Sequence, residues 1–383
     1  MSSEGHTIHW LGAGLSSGPG VVALAERRGN VVLWNRTLDK AQALAARAAP
    51  GAGIEARALD LDAVAAAARP GDVLVSMLPG DLHARVAKIA LDAGAHMVTT
   101  SYLSDAMLAL DGEARSKGLC VVNEVGLDPG IDHLFAHLLV AAAKDAGVLG
   151  QGRRLHFVSH CGGFPAVPTP FTYKFSWAPL GVLTALRNQA RSIAGGAEKR
   201  VTKAWTEVED ITIMGETYQV YPNRDSLPYM AEYGLDGETN MQTFVRGTLR
   251  MGGWTDAWAD VFPVVESGDM DAMRALSQRL WAEHAYGPDE EDRVILYVAL
   301  DAEGGGGAEP WHASLALDET GRGWQTAMAR TVSLTCAQAI GAVLDGRMAP
   351  GVAAGTHDLA EIRRWLGALG DDGVKVLADG IDV

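Results

Sequence analysis

Six short apolar segments alternate with alanine-rich helical segments over the first 125 residues, and this rhythm constrains the fold more than any other feature. The apolar segments are rich in β-branched residues and occupy Thr7–Leu11, Asn30–Trp34, Ile54–Leu59, Asp72–Met77, His96–Thr99 and Leu119–Val122. Helical patterns lie between them at Val21–Arg28, Leu38–Ala49, Leu61–Ala68, His83–Ala93 and Ser104–Lys117. Strands joined by helices form parallel sheets with right-handed crossovers, so residues 1–130 are predicted to form a doubly wound α/β domain.

The pattern changes after Gly147, where strands follow one another with fewer helices between them. Predicted strands lie at Arg154–Ser159, Lys203–Glu209, Thr243–Arg250, Arg293–Leu300 and Trp311–Leu317. A second α/β domain with a mixed sheet is therefore predicted for residues 131–323. Helices at Trp324–Leu344 and Leu359–Leu369 are expected to return residues 324–383 to the first domain. The length of 383 residues fits two domains better than one.

Composition narrows the classes of function. The formal net charge is −15 and no basic patch is found, which argues against a nucleic-acid or membrane-surface partner. The three cysteines form no CxxC pair, so a reducing compartment is expected. The first residues do not resemble a signal peptide, and the apolar runs are short for a membrane span. A cytoplasmic protein is predicted.

The first strand runs into a glycine-rich turn that is typical of Rossmann-like dinucleotide sites. Gly12 allows the tight turn and Gly14 lets the backbone approach a pyrophosphate, with Ala13, Leu15 and Ser16 beside them. The helix that follows presents free N–H groups to the phosphates. The third position of the fingerprint is Ser17, where glycine or alanine is usual. The location between strand and helix favours dinucleotide binding over a plain turn.

Cofactor choice is expected at the end of the second strand. An acidic residue there would bind the ribose of NAD, but this chain has Asn35, Arg36 and Thr37. The Arg36 guanidinium suits a 2′-phosphate, and Thr37 adds a hydroxyl. Arg36 could also be an ordinary surface arginine. The absence of the acid favours NADP(H).

Ligands bind at the carboxyl ends of strands in such sheets. Three loops leave these ends and are expected to face the nicotinamide; their candidate residues are Leu78, Thr100, Ser101, Tyr102, Leu127, Asp128 and Pro129. Asp60 follows the third strand and is expected near the adenine. Asp128 also suits the N-cap of the next helix, with Pro129 in its first turn, so its carboxylate has two candidate roles.

Several motifs resemble those of the glutamate-forming saccharopine dehydrogenase family, also called saccharopine reductases. They are VTTSYLS (98–104), NEVGLDPGIDHLFA (123–136), SHCGGFPA (159–166), YKFSWAPLGVLTALRN (173–188), YPNRDS (221–226) and FVRGTLR (244–250). They cover most of the chain in the family's order. The resemblance implies a Rossmann domain, a second α/β domain, NADP(H) and a homodimer.

The family reaction joins glutamate to 2-aminoadipate 6-semialdehyde through an imine that is reduced to saccharopine. The resemblance implies proton transfer by Asp128, Tyr102 and Cys161. Ser176 and Trp177, which precede a helix start at Pro179, are expected near the nicotinamide or substrate; otherwise Trp177 is a core residue. Taken alone, Asp128 could only cap a helix, Tyr102 could only pack, and Cys161 could be a small buried apolar residue.

Three carboxylates on saccharopine require specific cations in a protein of net charge −15. The expected carboxylate ligands are Arg224, Arg246 and Arg250, with Asn223, Thr248, Ser101, Tyr102 and Asp128 as further substrate contacts. One of the three could instead be an ordinary surface or ion-paired arginine. Arg246 and Arg250 are four residues apart and so share one face of a strand. No metal is expected, because alternation puts His156 and His160 on one strand face and Cys161 on the other.

Two departures from the family pattern concern the substrate side. The segment between Gly163 and Tyr173 is shorter than the usual family loop and lacks its acidic residue, and the chain after Arg250 is also short. Two alternative functions remain open: an NADPH-dependent imine reductase of the carboxynorspermidine synthase type, and a catalytically silent NADP-binding protein.

Overall fold

The computed structural model describes residues 5–176, 178–287, 290–305 and 307–382, so the prediction for Trp177 lies outside the described residues. The chain forms two compact units. The first unit comprises Met1–Leu134 and Ala329–Val374, and the second comprises Phe135–Met328 and Lys375–Val383.

The first unit contains a seven-stranded parallel sheet. Its strands are β1 (Ile8–Leu11), β2 (Val31–Asn35), β3 (Ile54–Ala58), β4 (Val73–Ser76), β5 (His96–Thr99), β6 (Cys120–Asn123) and β15 (Gly351–Ala354), in the order β15-β6-β5-β4-β1-β2-β3. The order reverses between β1 and β4, as in a doubly wound fold. The predicted fold class is confirmed. The seventh strand, β15, was not predicted; it pairs in parallel with β6 at the edge of the sheet.

Helices connect these strands and cover both faces of the sheet. They are α1 (Gly18–Arg28), α2 (Leu38–Ala45), α3 (Leu61–Ala67), α4 (His83–Ala93), α5 (Asp105–Leu108), α6 (Asp111–Lys117), α13 (Ala327–Leu344) and α14 (Leu359–Asp371). Helix α7 (Ile131–Asp145) follows β6, and from Phe135 onward it belongs to the second unit. A short 3₁₀ helix, Gly80–Leu82, precedes α4. Side-chain N-caps help to fix where these helices begin: for example, Ser104 Oγ accepts a hydrogen bond from Met107 N, and the Asp358 carboxylate accepts hydrogen bonds from two backbone N–H groups of α14.

The second unit contains a mixed sheet. Its strands are β7 (Leu155–Pro165), β8 (Ala190–Ala194), β9 (Ala197–Val201), β10 (Glu209–Ile213), β11 (Glu216–Pro222), β12 (Met241–Met251), β13 (Asp292–Ala302), β14 (Trp311–Thr320) and β16 (Val376–Asp379). The main path is β10-β11-β12-β7-β13-β14-β16, and the β8–β9 hairpin extends from β12. β12 pairs with β7 in parallel, and the other pairs are antiparallel.

The two faces of the second sheet have different surroundings. One face packs against helices in an apolar cluster that includes Tyr221 of β11. These helices are α8 (Pro179–Ala185), α10 (Trp254–Ala257), α11 (Phe262–Ser267) and α12 (Met270–His284). The unit also contains the short helix α9 (Pro228–Glu232). We call the sheet face that carries Tyr221 the covered face. Trp254 and Trp258 are fully buried in this cluster.

The opposite face carries a cluster whose described members all come from strands, including Phe164, Val220, Leu249 and Ile295. We call it the open face. Val158, Val245 and Tyr297 lie on three adjacent strands of this face and are only half-buried. Partly exposed apolar side chains that form a patch on a sheet face often mark an interface with another protein chain.

Three expected elements differ in the structure. The predicted strand Lys203–Glu209 is wrong: a 3₁₀ helix, Ala204–Thr206, separates β9 from β10. The predicted helix Ser104–Lys117 is interrupted at Ala109–Leu110 and forms α5 and α6. The end of the chain does not stay with the first sheet, because β16 pairs with β14 of the second.

Helix α13 is long and apolar enough to span a membrane by length and composition, with a mean hydropathy of 1.3. However, 78% of its 18-residue window is buried within the protein. That burial is typical of a core helix.

Candidate functional site

The glycine-rich turn after β1 is tightly packed at Gly12 and open at Gly14. Gly12 has φ +113°, and a Cβ there would lie 2.8 Å from the Met77 carbonyl oxygen, so only glycine fits. Gly14 is exposed, and a Cβ there would meet nothing within 4 Å. The turn therefore packs tightly against β4 on its inner side and presents open backbone on its outer side. Leu15 is exposed and Ser16 is half-buried beside it.

The close-packing glycine of this motif lies three residues later than the fingerprint position. Ser17 is buried and precedes α1. Gly20 approaches α13 so closely that a Cβ would lie 2.1 Å from the Ser333 carbonyl oxygen, and its N–H donates to Ser333 Oγ at 2.8 Å. Sequence reasoning missed Gly20. Gly20 directly precedes the predicted helix Val21–Arg28, whereas the observed helix α1 begins at Gly18 and includes it.

The end of β2 is fastened to the glycine-rich turn. Ala13 N donates to Asn35 Oδ1 at 3.0 Å, and Asn35 Nδ2 donates to the Thr37 carbonyl oxygen at 2.9 Å. Arg36 and Thr37 are exposed. Within the part of the chain that the structure describes, Arg36 makes no ion pair. This leaves the guanidinium available to a phosphate beside the turn.

Asp60 has a clear structural role. Its Oδ1 accepts hydrogen bonds from Asp62 N and Ala63 N at 2.8 and 3.3 Å, so it caps α3. Its predicted proximity to the adenine stays a prediction. Leu78, after β4, is half-buried and packs against the core under the sheet.

The carboxyl ends of β5 and β6 bring two predicted proton-transfer residues together. Tyr102 follows β5 and donates its hydroxyl to Asp128 Oδ1 at 3.2 Å. Both side chains are partly exposed. The turn after β6 lies against Thr100, since a Cβ on Gly126 would be 3.2 Å from Thr100 Cβ. Ser101, Tyr102 and Asp128 therefore form one group at this edge of the sheet.

Asp128 is not the N-cap of α7, contrary to the expectation. The helix begins at Ile131, and the Asp128–Pro129 peptide bond is cis. Asp132, inside the first turn, accepts a hydrogen bond from Gly130 N at 2.7 Å and supplies the local acceptor instead. Leu127 and Pro129 are buried, whereas Asp128 is half-exposed. The Asp128 carboxylate thus accepts the hydrogen bond of the Tyr102 hydroxyl.

In the second unit, the covered face of the sheet carries Cys161 and the arginines of β12. The register pairs Cys161 with Thr248 and Ser159 with Arg246. Arg246, Thr248 and Arg250 alternate along β12, so they share this face, as predicted for the two arginines. Cys161 is 8% exposed.

His160 lies on the open face, since a Cβ on Gly247 there would be 2.6 Å from His160 Nδ1. His156 shares that face by alternation and hydrogen-bonds Thr243 Oγ1 at 3.0 Å. Cys161 therefore points away from both histidines, in agreement with the strand alternation.

The two arginine motifs of the second unit are fastened to each other through the backbone. Asn223 N donates to the Arg246 carbonyl oxygen at 2.8 Å, and Arg246 N donates to Ser226 Oγ at 2.9 Å. Between these bonds, Arg224 has φ +56° and an exposed side chain. The Arg246 guanidinium is buried and lies 4.2 Å from the centre of the Tyr229 ring. The structure therefore brings Asn223, Arg224 and Arg246 together.

Arg250 is buried in a cage of aromatic rings. Its guanidinium carbon lies 5.1 to 5.6 Å from the ring centres of Tyr173, Tyr221 and Trp254. Nη2 donates to the Tyr221 hydroxyl at 2.7 Å and Nη1 donates to the Leu249 carbonyl oxygen at 2.9 Å. Among the described residues, Nε has no hydrogen-bond partner and no carboxylate pairs with Arg250. Burial raises the pKa of Tyr221, so its hydroxyl is neutral and does not supply the missing anion.

The loop before α8 is anchored by ring stacking. Phe171 stacks on His284 and Trp258 with ring centres 3.9 and 5.1 Å apart, and the Trp258 indole N–H donates to its carbonyl oxygen. Ser176, the next candidate along the chain, is half-buried beside the buried Phe175. The position of Ser176 near a nicotinamide stays a prediction.

A cavity of about 580 Å³ lies at the amino end of the first sheet, away from the strand ends just described. Arg27, Arg28 and Arg347 line it. Each of these arginines is ion-paired, to Asp372 or Asp345. Because its cations are already neutralised, we assign this cavity no ligand.

Comparison with known proteins identifies the same two parts. Residues 8–122 match the family description "Saccharopine dehydrogenase NADP binding domain", and residues 126–374 match "Saccharopine dehydrogenase C-terminal domain". The first match confirms NADP(H) as the cofactor predicted from the sequence.

Relatives and solved structures agree with this result. The saccharopine dehydrogenase [NADP(+), L-glutamate-forming] of Pyricularia oryzae is 38% identical over 254 residues, covering 65% of this chain and 55% of that protein. The chain thus spans about half the length of the curated relatives it matches. The apo saccharopine dehydrogenase (L-Glu forming) of Saccharomyces cerevisiae has a TM-score of 0.82 at 27% identity, covering 98% of this chain and 100% of that chain.

A homospermidine synthase of Legionella pneumophila, solved with NAD, has a TM-score of 0.63 at 10% identity. It covers 99% of this chain and 92% of that chain. At that identity, the likeness concerns the fold alone.

Proposed function

Because this chain belongs to the saccharopine dehydrogenase family, we propose that it interconverts saccharopine with L-glutamate and 2-aminoadipate 6-semialdehyde. In the synthetic direction, the glutamate amine adds to the aldehyde carbon to give a carbinolamine. Loss of water then gives an imine, and addition of a hydride and a proton gives saccharopine. Proton transfers and positioning are what the protein must supply.

The first unit offers the groups that would hold NADP(H). Gly14 presents open backbone where a pyrophosphate would approach, and α1 begins directly after the turn. The exposed Arg36, which has no ion pair within the described residues, suits the 2′-phosphate. When bound, NADPH supplies the hydride for imine reduction. Thr100, Ser101 and Leu127 at the strand ends are the proposed nicotinamide contacts.

Proton transfer is assigned to the Tyr102–Asp128 pair. The 3.2 Å hydrogen bond gives the tyrosine hydroxyl a fixed acceptor, and both groups are open to a ligand at the carboxyl edge of the sheet. A carboxylate joined to a phenol can accept a proton from the attacking amine and return it to the departing water. Cys161 is the third proposed proton carrier, on the covered face of the second sheet.

The observation that carries the substrate assignment is the buried Arg250. A buried guanidinium without an anion is costly, so the site is completed by a ligand that brings a carboxylate. Arg246 lies on the same sheet face, and Arg224 lies in the loop fastened to Arg246. Three arginines correspond in number to the three carboxylates of saccharopine. Thr248 and Asn223 are proposed to supply further hydrogen bonds.

The test is oxidation of saccharopine with NADP, followed by the absorbance of NADPH, beside lysine and other amino-acid–aldehyde pairs. Arg250→Met should raise the KM for saccharopine at least about tenfold while leaving the Kd for NADPH unchanged, because a charge-assisted bidentate pair is lost. Arg153→Met is the matched control, since within the described residues Arg153 donates to the backbone carbonyl oxygens of Ala302, Glu303 and Glu309, at the end of β13 and in the connection to β14. An unchanged KM for Arg250→Met would remove the carboxylate assignment.

The alternative of a polyamine-type imine reductase makes an opposite prediction. Such an enzyme would turn over an amine with fewer carboxylates and leave saccharopine inert. A catalytically silent NADP-binding protein would turn over neither. The paired Tyr102 and Asp128, and the uncompensated Arg250, favour saccharopine over both alternatives.

Two copies are proposed to form a homodimer through the open face of the second sheet. The apolar cluster on this face is made of strand residues within the described part of the chain, and Val158, Val245 and Tyr297 are half-buried there. A second copy would cover these side chains. We further propose a cytoplasmic location and no nucleic-acid or membrane partner, in keeping with the net charge of −15.

A further inference from the structure

A buried histidine that the proposed chemistry does not use is bonded to the loop that carries Tyr102. His83 is 5% exposed and begins α4. Its Nδ1 lies 2.8 Å from Ser76 Oγ, and its Nε2 lies 2.7 Å from Ser101 Oγ. Ser76 ends β4 and is fully buried, whereas Ser101 directly precedes Tyr102. The imidazole therefore joins the rigid end of β4 to the loop after β5.

A buried glutamate holds the other side of the same loop. Glu124 is 4% exposed and has φ +57°, a conformation uncommon outside glycine. Its Oε1 accepts a hydrogen bond from Leu103 N at 2.7 Å, and its own N–H donates to the Ser101 carbonyl oxygen at 3.1 Å. Its Oε2 lies 2.8 Å from His133 Nε2. The residues before and after Tyr102 are thus each fixed to a buried side chain.

We propose that His83 and Glu124 are positioning residues that set the direction of the Tyr102 hydroxyl toward Asp128. The Tyr102 hydroxyl lies at the end of a long side chain, so its position depends on the position of the loop backbone. The hydroxyl stays within 3.2 Å of Asp128 Oδ1, a hydrogen-bond distance, only while that backbone stays in place. Misplacement of a reacting group by about 1 Å is enough to cost a large part of the rate. Neither residue needs to exchange a proton with substrate for this role.

The chemistry of His83 suits a holding role. Burial is the main cause that lowers the pKa of His83, so the ring is neutral. A neutral imidazole donates through one nitrogen and accepts through the other, and a serine hydroxyl can do either. Both bonds are therefore satisfied whichever nitrogen carries the proton. Removal of the ring would leave the buried Ser76 hydroxyl without this partner.

Two substitutions at position 83 separate loop anchoring from general packing. The amide of His83→Gln reaches the position of Nε2 and can still bond Ser101, whereas His83→Asn reaches only the position of Nδ1 and Ser76. Glu124→Gln keeps an oxygen for the Leu103 amide, and Glu124→Ala removes it. His96→Asn is the control, because His96 accepts a backbone hydrogen bond from Cys120 in the same sheet but lies at the opposite end of β5.

The first measurement is amide hydrogen exchange of residues 101–103 in the protein without substrate. His83→Asn and Glu124→Ala should exchange about tenfold faster than the wild type, because a local hydrogen bond is lost. His83→Gln, Glu124→Gln and His96→Asn should stay near the wild type. Unchanged exchange in both disruptive variants would overturn the proposal.

The second measurement, which rests on the proposed function, is saccharopine turnover. His83→Asn and Glu124→Ala should lower kcat about tenfold or more while the KM for NADP changes little, and the glutamine variants should recover kcat. Faster exchange with normal kcat in both variants would also overturn the proposal. If the wild type does not oxidise saccharopine, the proposed function fails, and the exchange data still decide whether the two residues hold the loop.

Discussion

At the scale of single residues, the first prediction concerns Arg36 and the preference for NADP over NAD. It is exposed at the end of β2, beside a turn whose position is fixed by the bond from Ala13 to Asn35. If its guanidinium binds the 2′-phosphate, Arg36→Asp should lower the ratio of kcat/KM for NADP over NAD by roughly tenfold or more, because attraction becomes repulsion. Arg85→Asp, the same charge change at an exposed position of α4, should leave the ratio unchanged. Steady-state kinetics with both cofactors measures the ratio, and a wild type that prefers NAD would contradict the assignment.

The Asp128 carboxylate makes a second prediction. Asp128→Asn keeps the size of the side chain but cannot accept a proton, so kcat should fall by about 10²- to 10⁴-fold. NADPH affinity should change little, because the turn around Gly14 is untouched. Since α7 begins at Ile131, no helix cap is lost, and the melting temperature should stay near that of the wild type. A folded Asp128→Asn protein with normal turnover would show that this carboxylate does not carry the proton.

Sequence patterns predicted on which face of a strand a residue lies better than they predicted which distant residues it contacts. Strand alternation was sufficient to place Arg246 and Arg250 on one face, because that depends only on spacing. The aromatic cage around Arg250 joins Tyr173, Tyr221 and Trp254 from three separate segments, and no local pattern relates such segments. Gly20 was missed for the same reason, since its constraint comes from Ser333 on a distant helix. Asp128 looked like a cap because Asp-Pro is a common helix start, and the turn that delays the helix to Ile131 depends on Gly126 and Gly130.

At the scale of elements, six strands of the first sheet could be predicted because each is a short segment between helices, and all but β3 are mostly buried apolar runs. β15 was missed because Gly351–Ala354 is short and lies at the sheet edge, where only its pairing with β6 makes it a strand. The segment Lys203–Glu209 alternates like a strand, yet it contains the 3₁₀ helix Ala204–Thr206, and β10 begins only at its last residue, Glu209. Alternation alone does not distinguish a strand from a loop that contacts the core at every second residue.

His160 in strand β7 leads to a prediction about how the free energy of unfolding depends on pH. Burial lowers the pKa of His160 from 6.5 to about 4. Between these values the unfolded chain binds a proton that the folded chain does not, so stability falls as the pH falls through this window. From about pH 7.5 to about pH 5 this loss amounts to about 2 kcal/mol. Between these two pH values, the free energy of unfolding of His160→Gln should therefore fall by about 2 kcal/mol less than that of the wild type. Urea denaturation of both proteins at both pH values measures the two losses. Equal losses in both proteins would show that His160 does not cause the acid sensitivity.

At the scale of the whole molecule, the open face of the second sheet makes the last prediction. Val158 and Val245 are neighbours in the β7–β12 pairing, and Tyr297 lies on the next strand, β13. If two copies pair through this face, a two-fold axis brings the same patch of both chains together, so one substitution acts twice in the interface. Val245→Asp should therefore convert a dimer to a monomer, because each interface would gain two buried carboxylates without partners.

Sedimentation or light scattering reports the mass directly, and the wild type should have about twice the mass of Val245→Asp. Val167→Asp is the control, because Val167 is 77% exposed in the loop after β7 and lies outside the open face. It should remain dimeric. The far-ultraviolet circular dichroism of Val245→Asp should match the wild type, since the side chain is already half-exposed in a single chain. A monomeric wild type would reject the dimer, and a dimeric Val245→Asp protein would place the interface on another surface.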